Sequence, residues 1–508
     1  MNSMKIDLGL TFDNSYAKNL EGFYAACPGA KAPNPELVKL NTSLANSIGL
    51  SNNDPDQLAE VLSGSEAPVG ASPLAQVYAG HQFGGFSPQL GDGRALLLGE
   101  VLDEDGKSLD VQLKGSGRTP FSRGGDGKAA LGAVLREYIV SEAMFALNIP
   151  TTRALAAVTT GERIMRTQLL PGAVLTRVAS SHLRVGTFQF FASRGEQDKV
   201  KQLADYAIER HYPQLKTSQQ PYLDFLCAVC DKQADLVARW LLVGFVHGVM
   251  NTDNMTISGE TIDYGPCAFM DDYDAKAVFS SIDRDGRYSY NNQPVLAQWN
   301  LARLAETLLP LISDDEEEAV TKATEVVTKF WEVYQGYWLT GMRAKLGIST
   351  EEEGDLALCE QLLESMSGQE VDFTQLFRQL ARDLEKVTNE SDHLFNDAEK
   401  FIQWKELWRA RLSRDDQSRD SQSKQESSQE KRYLAEHAAM MNAVNPMYIP
   451  RNHQVEHVIE AAEQRADYEP FENLLAVLES PFTYQSGAGE YAKPAPMSFG
   501  PYTTFCGT

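Results

Sequence analysis

A lysine and a glutamate occur along the chain in the order that phosphate-transfer chemistry requires. The segment VQLKG alternates like a β-strand, which places Lys114 on the same face as Gln112. Lys114 is a candidate to contact phosphate oxygens, and Glu137, on the helix that follows, is a candidate to hold that lysine. The pair alone decides nothing, because lysines and glutamates also form ordinary solvated surface pairs.

Two later motifs, HGVMNTDN and IDYGP, add candidate metal ligands. In protein kinases the catalytic loop reads H-R-D, then four residues, then Asn, and a second metal ligand is the Asp of D-F-G. On this chain, residues 247–249 take the H-R-D position, Asn254 that of the metal-binding Asn, and Asp263 that of the D-F-G aspartate. Both side chains present oxygen, which suits Mg²⁺ or Mn²⁺ and not zinc.

The catalytic base of that pattern is missing. Its position is Val249, whose side chain can accept no proton. Asp253, next to Asn254, is the nearest carboxylate that could replace it, and we predict this role for it. The alternative is that Asp253 only caps the turn formed by Asn-Thr-Asp-Asn. With Val249 at this position, the chain is predicted either to be inactive as a kinase or to carry out different chemistry.

Three glycine-rich loops indicate a site for anions. They are Gly91-Asp92-Gly93-Arg94, Gly115-Ser116-Gly117-Arg118 and Gly124-Gly125-Asp126-Gly127. Such loops let backbone N–H groups approach phosphates, and arginine forks bind phosphate oxygens in pairs. Each loop singly is also typical of a hairpin turn, but together with Lys114, Arg177 and Arg184 they favour a polyphosphate site. None matches the Rossmann or Walker fingerprints.

The elements that must position these residues fall into two groups. Between about residues 78 and 190, RALLLGEV pairs with SLDVQLKG, and ERIMRTQLL pairs with GAVLTRVA around Pro171-Gly172. Between the two pairs lies a long helix, for which Asp126 is the predicted N-cap and Pro150 the stop signal. After about residue 190 the pattern is almost wholly helical. The sequence therefore predicts an α+β chain with a protein-kinase-like, two-lobed fold.

Composition shifts divide the chain into five predicted parts. The first is an N-terminal extension in which Leu37, Leu40, Leu44 and Ile48 recur at helical spacing before Gly49. The segment SRDDQSRDSQSKQESSQEK has no apolar residue and is predicted to be an exposed, mobile linker. The parts are an extension (1–75), a strand-rich lobe (76–190), a helical lobe (191–412), the linker (413–431) and a helical segment with a tail (432–508).

Composition also excludes several classes of protein. The 508 residues contain 46 Lys and Arg against 70 Asp and Glu, a net charge of −24, which argues against binding of nucleic-acid backbones. No signal peptide is visible, and the most apolar stretch is interrupted by Arg239 and His247, so no membrane span is predicted. Six cysteines in a chain this long do not form a disulfide framework, and the predicted location is the cytoplasm.

Several long strings resemble the selenoprotein O family of pseudokinases. The resemblance covers about residues 35 to 300 and a block at 445–452. The strings are YAGHQFGGFSPQLGDGRALLLGE, QLKGSGRTPFSRGGDGKAALGAVLREYIVSEAM, IPTTRALA, HGVMNTDNM with DYGPCAF, and NPMYIPRN. The resemblance implies a kinase-like fold in which ATP is bound in a flipped orientation. It further implies transfer of AMP, in place of the γ-phosphate, to protein hydroxyls with release of pyrophosphate, and UMP transfer with manganese is also reported within the family.

The resemblance also implies roles for individual residues. Glu137 would brace Lys114, Asn254 and Asp263 would hold Mg²⁺ or Mn²⁺, and Asp253 would accept the proton. The implied ATP-binding residues are Gly91, Gly93, Arg94, Lys114, Asp126, Gly127, Arg177, Arg184 and Asp263. The expected partners are ATP and protein substrates, with no nucleic acid and no membrane. An ordinary kinase, which Val249 argues against, and an inert nucleotide-binding scaffold stay open as alternatives.

Two departures from the family pattern and one cysteine pair complete the sequence-based predictions. Gln189 stands where an acidic residue is usual, and the polar segment 413–431 is longer than is typical; neither is predicted to touch a site residue. Because family members carry a cysteine or selenocysteine near the carboxyl end, the resemblance suggests a redox disulfide between Cys267 and Cys506. Two free thiols are the alternative.

Overall fold

The computed structural model describes residues 6–419 and 427–505, and it is a mixed α+β structure. Its largest sheet has eight strands in the order β1-β3-β6-β7-β10-β9-β2, with β8 paired to β10. The pairs within this sheet are antiparallel. The strands of the described residues are β1 (Tyr24–Ala26), β2 (Glu36–Leu40), β3 (Leu74–Gln76), β4 (Gly80–Gln82), β5 (Gly85–Ser87), β6 (Ala95–Leu102), β7 (Ser108–Lys114), β8 (Ala129–Ala130), β9 (Arg153–Met165), β10 (Leu169–Ala179), β11 (Phe245–Val246) and β12 (Ala268–Phe269).

Helices dominate the chain after β10, as the sequence predicts. Long helices need a buried face for stability, and here α7, α8 and α9 pack against one another. The α-helices of the described residues are α1 (Ser15–Asn19), α2 (Thr42–Ser47), α3 (Pro55–Leu62), α4 (Leu131–Ala146), α5 (Val185–Ala192), α6 (Gln197–His211), α7 (Pro221–Leu242), α8 (Gln293–Ile312), α9 (Glu316–Lys345), α10 (Asp355–Met366), α11 (Phe373–Lys386), α12 (Glu399–Arg419), α13 (Ser427–Val444), α14 (Asn452–Arg465), α15 (Glu469–Leu478) and α16 (Gly489–Ala492). None of them combines the length and the apolar character that crossing a bilayer needs.

The register of the large sheet brings three polar side chains to one face. Lys114 on β7 lies opposite Leu175 on β10, and Gln112 lies opposite Arg177. Because side chains alternate along a strand and cross-strand partners share a face, Gln112, Lys114 and Arg177 point the same way. The predicted β6–β7 hairpin is confirmed, and it is the element that places Lys114.

Helix α4 packs on this sheet and carries Glu137. Its residues Leu131, Leu135 and Ile139 are buried, while α14 and α15 from the C-terminal part pack against it as well. The predicted N-cap is wrong: α4 begins after Ala130, and Asp126 lies four residues further upstream. Asp126 instead accepts hydrogen bonds from the Lys128 backbone and from Arg166, and so it holds the loop that precedes α4 to Arg166.

Two further predictions of secondary structure are corrected. The turn of the second hairpin lies at residues 166–168, between β9 and β10, and Pro171-Gly172 lies inside β10 where the register shifts. A proline lacks an N–H but is tolerated at such an irregularity. The N-terminal leucine pattern does not form one helix, because Leu37 and Leu40 belong to strand β2 and only Leu44 lies in α2.

The polar segment predicted as a linker is helical in the part that the structure describes. Helix α12 continues through Arg419, α13 begins at Ser427, and residues 420–426 lie outside the described residues. Asp415, within this segment, is fully buried and accepts hydrogen bonds from Ser349 and Thr350. The expectation of an exposed segment is therefore wrong at Asp415. This part of α12 has no apolar side chain to bury, and the buried carboxylate holds it to Ser349 and Thr350 through hydrogen bonds instead.

Candidate active site

The predicted lysine–glutamate pair is formed, and the aspartate of the DYG motif joins it. Lys114 Nζ lies 2.6 Å from Oε2 of Glu137 and 2.6 Å from Oδ1 of Asp263. Glu137 is brought there by α4 and Lys114 by the end of β7. Asp263 has a left-handed backbone with φ of 64°, which is uncommon for a residue other than glycine and points to a constrained loop.

Two arginines converge on the same carboxylate. Arg177 Nη1 lies 2.7 Å from Oδ1 of Asp263 and 3.1 Å from Oε1 of Glu137. Arg184 Nη2 lies 3.7 Å from the other oxygen, Oδ2 of Asp263. Both arginine side chains are almost completely buried. The structure therefore brings Lys114, Arg177 and Arg184 together around Asp263.

Three other side chains hold these cations, and the sequence reasoning assigned no role to any of them. Gln112 accepts a hydrogen bond from Arg177 Nε at 2.8 Å, and Asp92 lies 3.3 Å from Arg184 Nη1. The Arg184 guanidinium also stacks over the Tyr78 ring. Gln112 could have been found from strand alternation, since it shares a face with Lys114. Asp92 and Tyr78 are far from Arg184 in sequence and carry no such signal.

The cations dominate the electrostatics of Asp263. Burial alone would raise the pKa of this carboxyl, but Arg177, Lys114 and Arg184 together hold its pKa well below the usual range. Asp263 is therefore ionised at neutral pH. The three positive charges of Lys114, Arg177 and Arg184 face three carboxylates, those of Glu137, Asp263 and Asp92, so each cation is held in place by an acidic partner.

The HGVMNTDN segment forms a tight loop beside this cluster. Residues Thr252–Asn254 form one turn of 3₁₀-helix, and Asn254 Nδ2 donates to the backbone oxygen of Val249 at 3.0 Å. His247 stacks on Trp240 and donates through Nε2 to the backbone oxygen of Ile262, the residue before Asp263. His247 thus ties the two predicted metal-binding loops together.

Asp253 is a buried carboxylate with one unpartnered oxygen. It is 9% exposed; its Oδ2 accepts a hydrogen bond from Gln82 at 3.3 Å, and its Oδ1 is buried with no hydrogen-bond partner among the described residues. Burial raises the pKa of Asp253 to about 6. A carboxylate with a raised pKa and a free acceptor oxygen is suited to take a proton.

The GHQFGG segment packs directly on this loop, which the sequence did not predict. The β4–β5 hairpin donates from His81 N to Thr252 Oγ1 at 2.7 Å and from Phe83 N to Asn251 Oδ1 at 3.2 Å. Gln189 also belongs to the network, because it accepts from Thr252 at 2.6 Å and bonds the His81 ring at 2.8 Å. Gln189 was predicted to touch no site residue, and its bonds go to His81 and Thr252, the latter being the neighbour of Asp253 in the chain.

Most glycines of the three loops are required by close packing within the protein. A Cβ on Gly91 would lie 2.5 Å from the Phe121 ring, and one on Gly93 would lie 3.0 Å from the Phe121 backbone oxygen. A Cβ on Gly127 would lie 2.1 Å from the backbone oxygen of Gly117, so two glycine loops touch each other. Gly124, by contrast, has open space around it. The loops are thus held as one folded unit next to the cation cluster.

Arg94 and Asp126 lie at the edges of this unit. Arg94 immediately precedes β6, is half-buried, and its backbone oxygen accepts a hydrogen bond from Gly115 at 2.8 Å. Asp126 is paired with Arg166 at 2.8 Å, and this hydrogen bond is the main reason that the pKa of Asp126 is lowered. Within the described residues, the Asp126 carboxylate bonds Lys128 and Arg166 and not the Lys114 cluster, so its nucleotide role stays a prediction.

Metal and thiol chemistry were also predicted. Among the described residues, no group of three or more His, Cys, Asp or Glu is placed to hold a metal ion. A metal at the DYG aspartate would therefore depend on Asp263 and the amide of Asn254.

The predicted disulfide partners differ in what the structure describes. Cys267 is completely buried, and burial raises the pKa of its thiol to about 12. Cys506 lies outside the described residues, so the pairing of the two cysteines stays a prediction. Cys227 and Cys230 are free thiols on α7.

Comparison with known proteins identifies the family. The family model described as "Protein adenylyltransferase SelO" matches residues 7–479. The chain belongs to this family.

Similar proteins cover almost the full chain. A protein nucleotidyltransferase YdiU of Cereibacter sphaeroides (strain KD131) is 57% identical over 505 residues, which cover 98% of this chain and 99% of that protein. One from Rhizobium leguminosarum bv. trifolii (strain WSM2304) is 55% identical over 503 residues, covering 98% and 97%. One from Rhizobium rhizogenes (strain K84) is 54% identical over 505 residues, again covering 98% and 97%. The resemblance found in the sequence motifs is confirmed.

Proposed function

We propose that this chain is a protein nucleotidyltransferase that transfers AMP from ATP to hydroxyl side chains of proteins and releases pyrophosphate. The observation that carries the proposal is the convergence of Lys114, Arg177 and Arg184 on Asp263, ten residues along the chain from the buried Asp253. Family membership over residues 7–479 supports the same reaction. Transfer of UMP from UTP is the variant reaction to be tested beside it.

Asp253 is proposed as the proton acceptor. The hydroxyl of the substrate loses its proton to Oδ1 of Asp253, the oxygen that has no partner in the described residues. The hydroxyl oxygen then bonds to the α-phosphorus, and the bond from that phosphorus to the bridging oxygen of pyrophosphate breaks. Gln82 holds the other oxygen of Asp253 and so keeps Oδ1 free.

Lys114, Arg177 and Arg184 are proposed to bind the triphosphate. Negative charge grows on the departing pyrophosphate, and fixed cations in a buried site stabilise such charge without reorganising. Glu137 orients Lys114 for this task. Gly91, Gly93, Arg94, Asp126 and Gly127 are proposed to complete the nucleotide site as the walls of the glycine loops, with the strand-rich and helical parts acting as two kinase-like lobes.

Asn254 and Asp263 are proposed to hold Mg²⁺ or Mn²⁺. Lys114 and Arg177 both bond Oδ1 of Asp263, while Oδ2 lies 3.7 Å from Arg184 Nη2. The Asn254 amide nitrogen donates to Val249, which leaves its amide oxygen as the ligand atom. A divalent ion bound there would neutralise phosphate charge. Oxygen ligands suit these two ions.

The position of the label in ATP tests the proposal. We expect protein to become labelled from ATP carrying ³²P at the α-phosphorus and to stay unlabelled when only the γ-phosphorus is labelled. Asp253→Asn, which keeps the shape but removes the proton acceptor, should lower the labelling rate at least about 100-fold, a typical contribution of a general base. Labelling from the γ-phosphorus would support the kinase alternative, and ATP binding without any labelling would support the scaffold.

A further inference from the structure

The β4–β5 hairpin reaches from the strand-rich part of the chain onto the loop that carries Asp253. Its backbone bonds Asn251 and Thr252, and Gln82 bonds Asp253. The OH of Tyr288 also joins in, since it donates to Asn251 Oδ1 at 2.5 Å. A molecule bound to the solvent-facing side of the β4–β5 hairpin would therefore lie close to Asp253, the proposed proton acceptor.

The tip of the hairpin carries an aromatic residue in a costly backbone conformation. Phe83 and Gly84 form the two-residue turn, and both have positive φ, 52° and 84°. A turn of this type favours Asn, Asp or Gly at both positions, and a bulky side chain there is an outlier. The Phe83 residue is 42% exposed, although its ring contacts the Tyr288 ring edge-on with centroids 5.2 Å apart. Backbone strain of this kind persists mainly at functional positions.

A second exposed ring lies three residues further along the same hairpin. Phe86 is 41% exposed and pairs across the hairpin with His81, with ring centroids 4.9 Å apart. The His81 ring in turn contacts Trp299 on α8 at 5.2 Å. Together, Phe83, Phe86 and Trp299 form what we call the aromatic surface. Exposed aromatic groups beside a reactive loop are typical of a binding surface.

Positive charge lies on this surface. The guanidinium groups of Arg287 and Arg303 stack on the Trp299 ring, 5.0 and 5.1 Å from its centre. Arg303 is paired with Glu306, but within the described ranges 6–419 and 427–505 no carboxylate lies within ion-pair distance of Arg287. Its Nε is buried and has no hydrogen-bond partner in the described part of the chain.

The loop that presents Arg287 is fixed in advance. The buried carboxylate of Asp283 accepts hydrogen bonds from the backbone N–H of Arg287 at 2.9 Å and of Tyr288 at 2.8 Å. An ordered arginine with no acidic partner is suited to bind a carboxylate of another molecule. The chain as a whole carries a net charge of −24, so an acidic partner is repelled elsewhere and favoured at such a position.

We infer that the aromatic surface and Arg287 form the docking site for the polypeptide substrate, and that the preferred substrate segment carries an acidic residue and an apolar residue close to the modified hydroxyl. Arg287 binds the acidic side chain, and Phe83 and Phe86 contact the apolar one. This inference rests on the proposed nucleotidyl transfer and adds to it the class of substrate.

A charge exchange between enzyme and peptide tests the inference. Three hydroxyl-containing peptides with acidic, neutral or basic flanking residues are compared as AMP acceptors for wild type and for Arg287→Glu. Wild type should prefer the acidic over the basic peptide at least about tenfold in kcat/KM, equivalent to one charge-assisted contact. Arg287→Glu should reverse the order while the Kd for ATP stays unchanged. Arg432→Glu, an exposed arginine on α13, is the matched control and should keep the wild-type order.

The strained turn gives an independent readout. Phe83→Asn places a residue that the turn prefers, so its unfolding temperature should equal or exceed that of wild type. Its KM for the acidic, apolar peptide should rise about tenfold, as expected for one lost anchor. A residue with a purely structural role would give the opposite pattern, with lower stability and unchanged KM.

The outcomes separate this inference from the proposed reaction. Wild type that modifies peptides without regard to flanking charge, or an Arg287→Glu variant with wild-type preference, would overturn the docking site while nucleotidyl transfer stands. Wild type that transfers AMP to no peptide and to no protein would overturn the proposed function and this inference with it.

Discussion

A Cβ atom on Gly80 would lie 2.4 Å from Oδ1 of Asp253, the unpartnered oxygen of the proposed base. Strand β4 and the catalytic loop are therefore in direct contact, and glycine is the one residue that leaves this oxygen in place. The contact joins the strand-rich and helical parts of the chain at the atom where the proton is proposed to move.

Gly80→Ala should reduce turnover without reducing nucleotide binding. The added methyl group forces Asp253 to shift, and a misplacement of about 1 Å can cost about 100-fold in rate. We expect kcat to fall by about that factor with the Kd for ATP unchanged, measured by AMP-transfer kinetics and calorimetry. Gly336→Ala is the control, because a Cβ there meets no atom within 4 Å and activity should be unaffected. Unchanged kcat in Gly80→Ala would argue against Asp253 as the base.

Arg177→Met should destabilise the fold. Arg177 is completely buried between Glu137 and Asp263, and removing one partner of a buried ion pair leaves uncompensated charge. The free energy of unfolding should fall by about 3–5 kcal/mol in chemical denaturation. Arg432→Met, which removes an exposed arginine, should change it by less than about 0.5 kcal/mol. A loss as small as that of the control would show that the cluster contributes little to stability.

Lys345→Met should stabilise the protein most at neutral and lower pH. Burial lowers the pKa of Lys345 to about 7, and its Nζ lies 3.8 Å from the centre of the Phe377 ring, among apolar groups. Between pH 7 and the ordinary lysine pKa the unfolded chain binds a proton that the folded chain does not, so wild-type stability rises with pH there. The increase in the free energy of unfolding caused by Lys345→Met should therefore be largest at or below pH 7 and should shrink toward pH 10. A gain that does not vary with pH would contradict a neutral buried lysine.

Asp415→Ala tests the part of the polar segment that proved to be structured. The carboxylate accepts hydrogen bonds from the backbone N–H groups and hydroxyls of Ser349 and Thr350, which would lose their partner. The free energy of unfolding should fall by about 2–4 kcal/mol, since several buried donors are left unsatisfied. The exposed Asp105 gives a matched control, because Asp105→Ala should be nearly neutral. A neutral Asp415→Ala would restore the interpretation of an exposed linker.

The sequence predicted those parts of the site that depend on local pattern. Strand alternation and helical periodicity indicated Lys114 and Glu137, and motif spacing indicated Asp263, which the structure brings together. The metal role of Asn254 stays a prediction. Gln82, Asp92 and Gln189 were not predicted because their roles come from contacts between segments far apart in the chain. The segment around Asp415 was misjudged because hydrophobic patterning does not register a buried carboxylate that is satisfied by hydrogen bonds.

Intact-mass spectrometry of a substrate protein after incubation with ATP and Mg²⁺ tests the central claim most directly. Transfer of AMP adds about 329 Da, and transfer of a phosphoryl group adds about 80 Da, because the attacked phosphorus differs. We expect the larger gain with wild type, and no gain with Asp263→Ala or Lys114→Met. A gain of the smaller mass, or an AMP-sized gain that persists in Asp263→Ala, would contradict nucleotidyl transfer at this site.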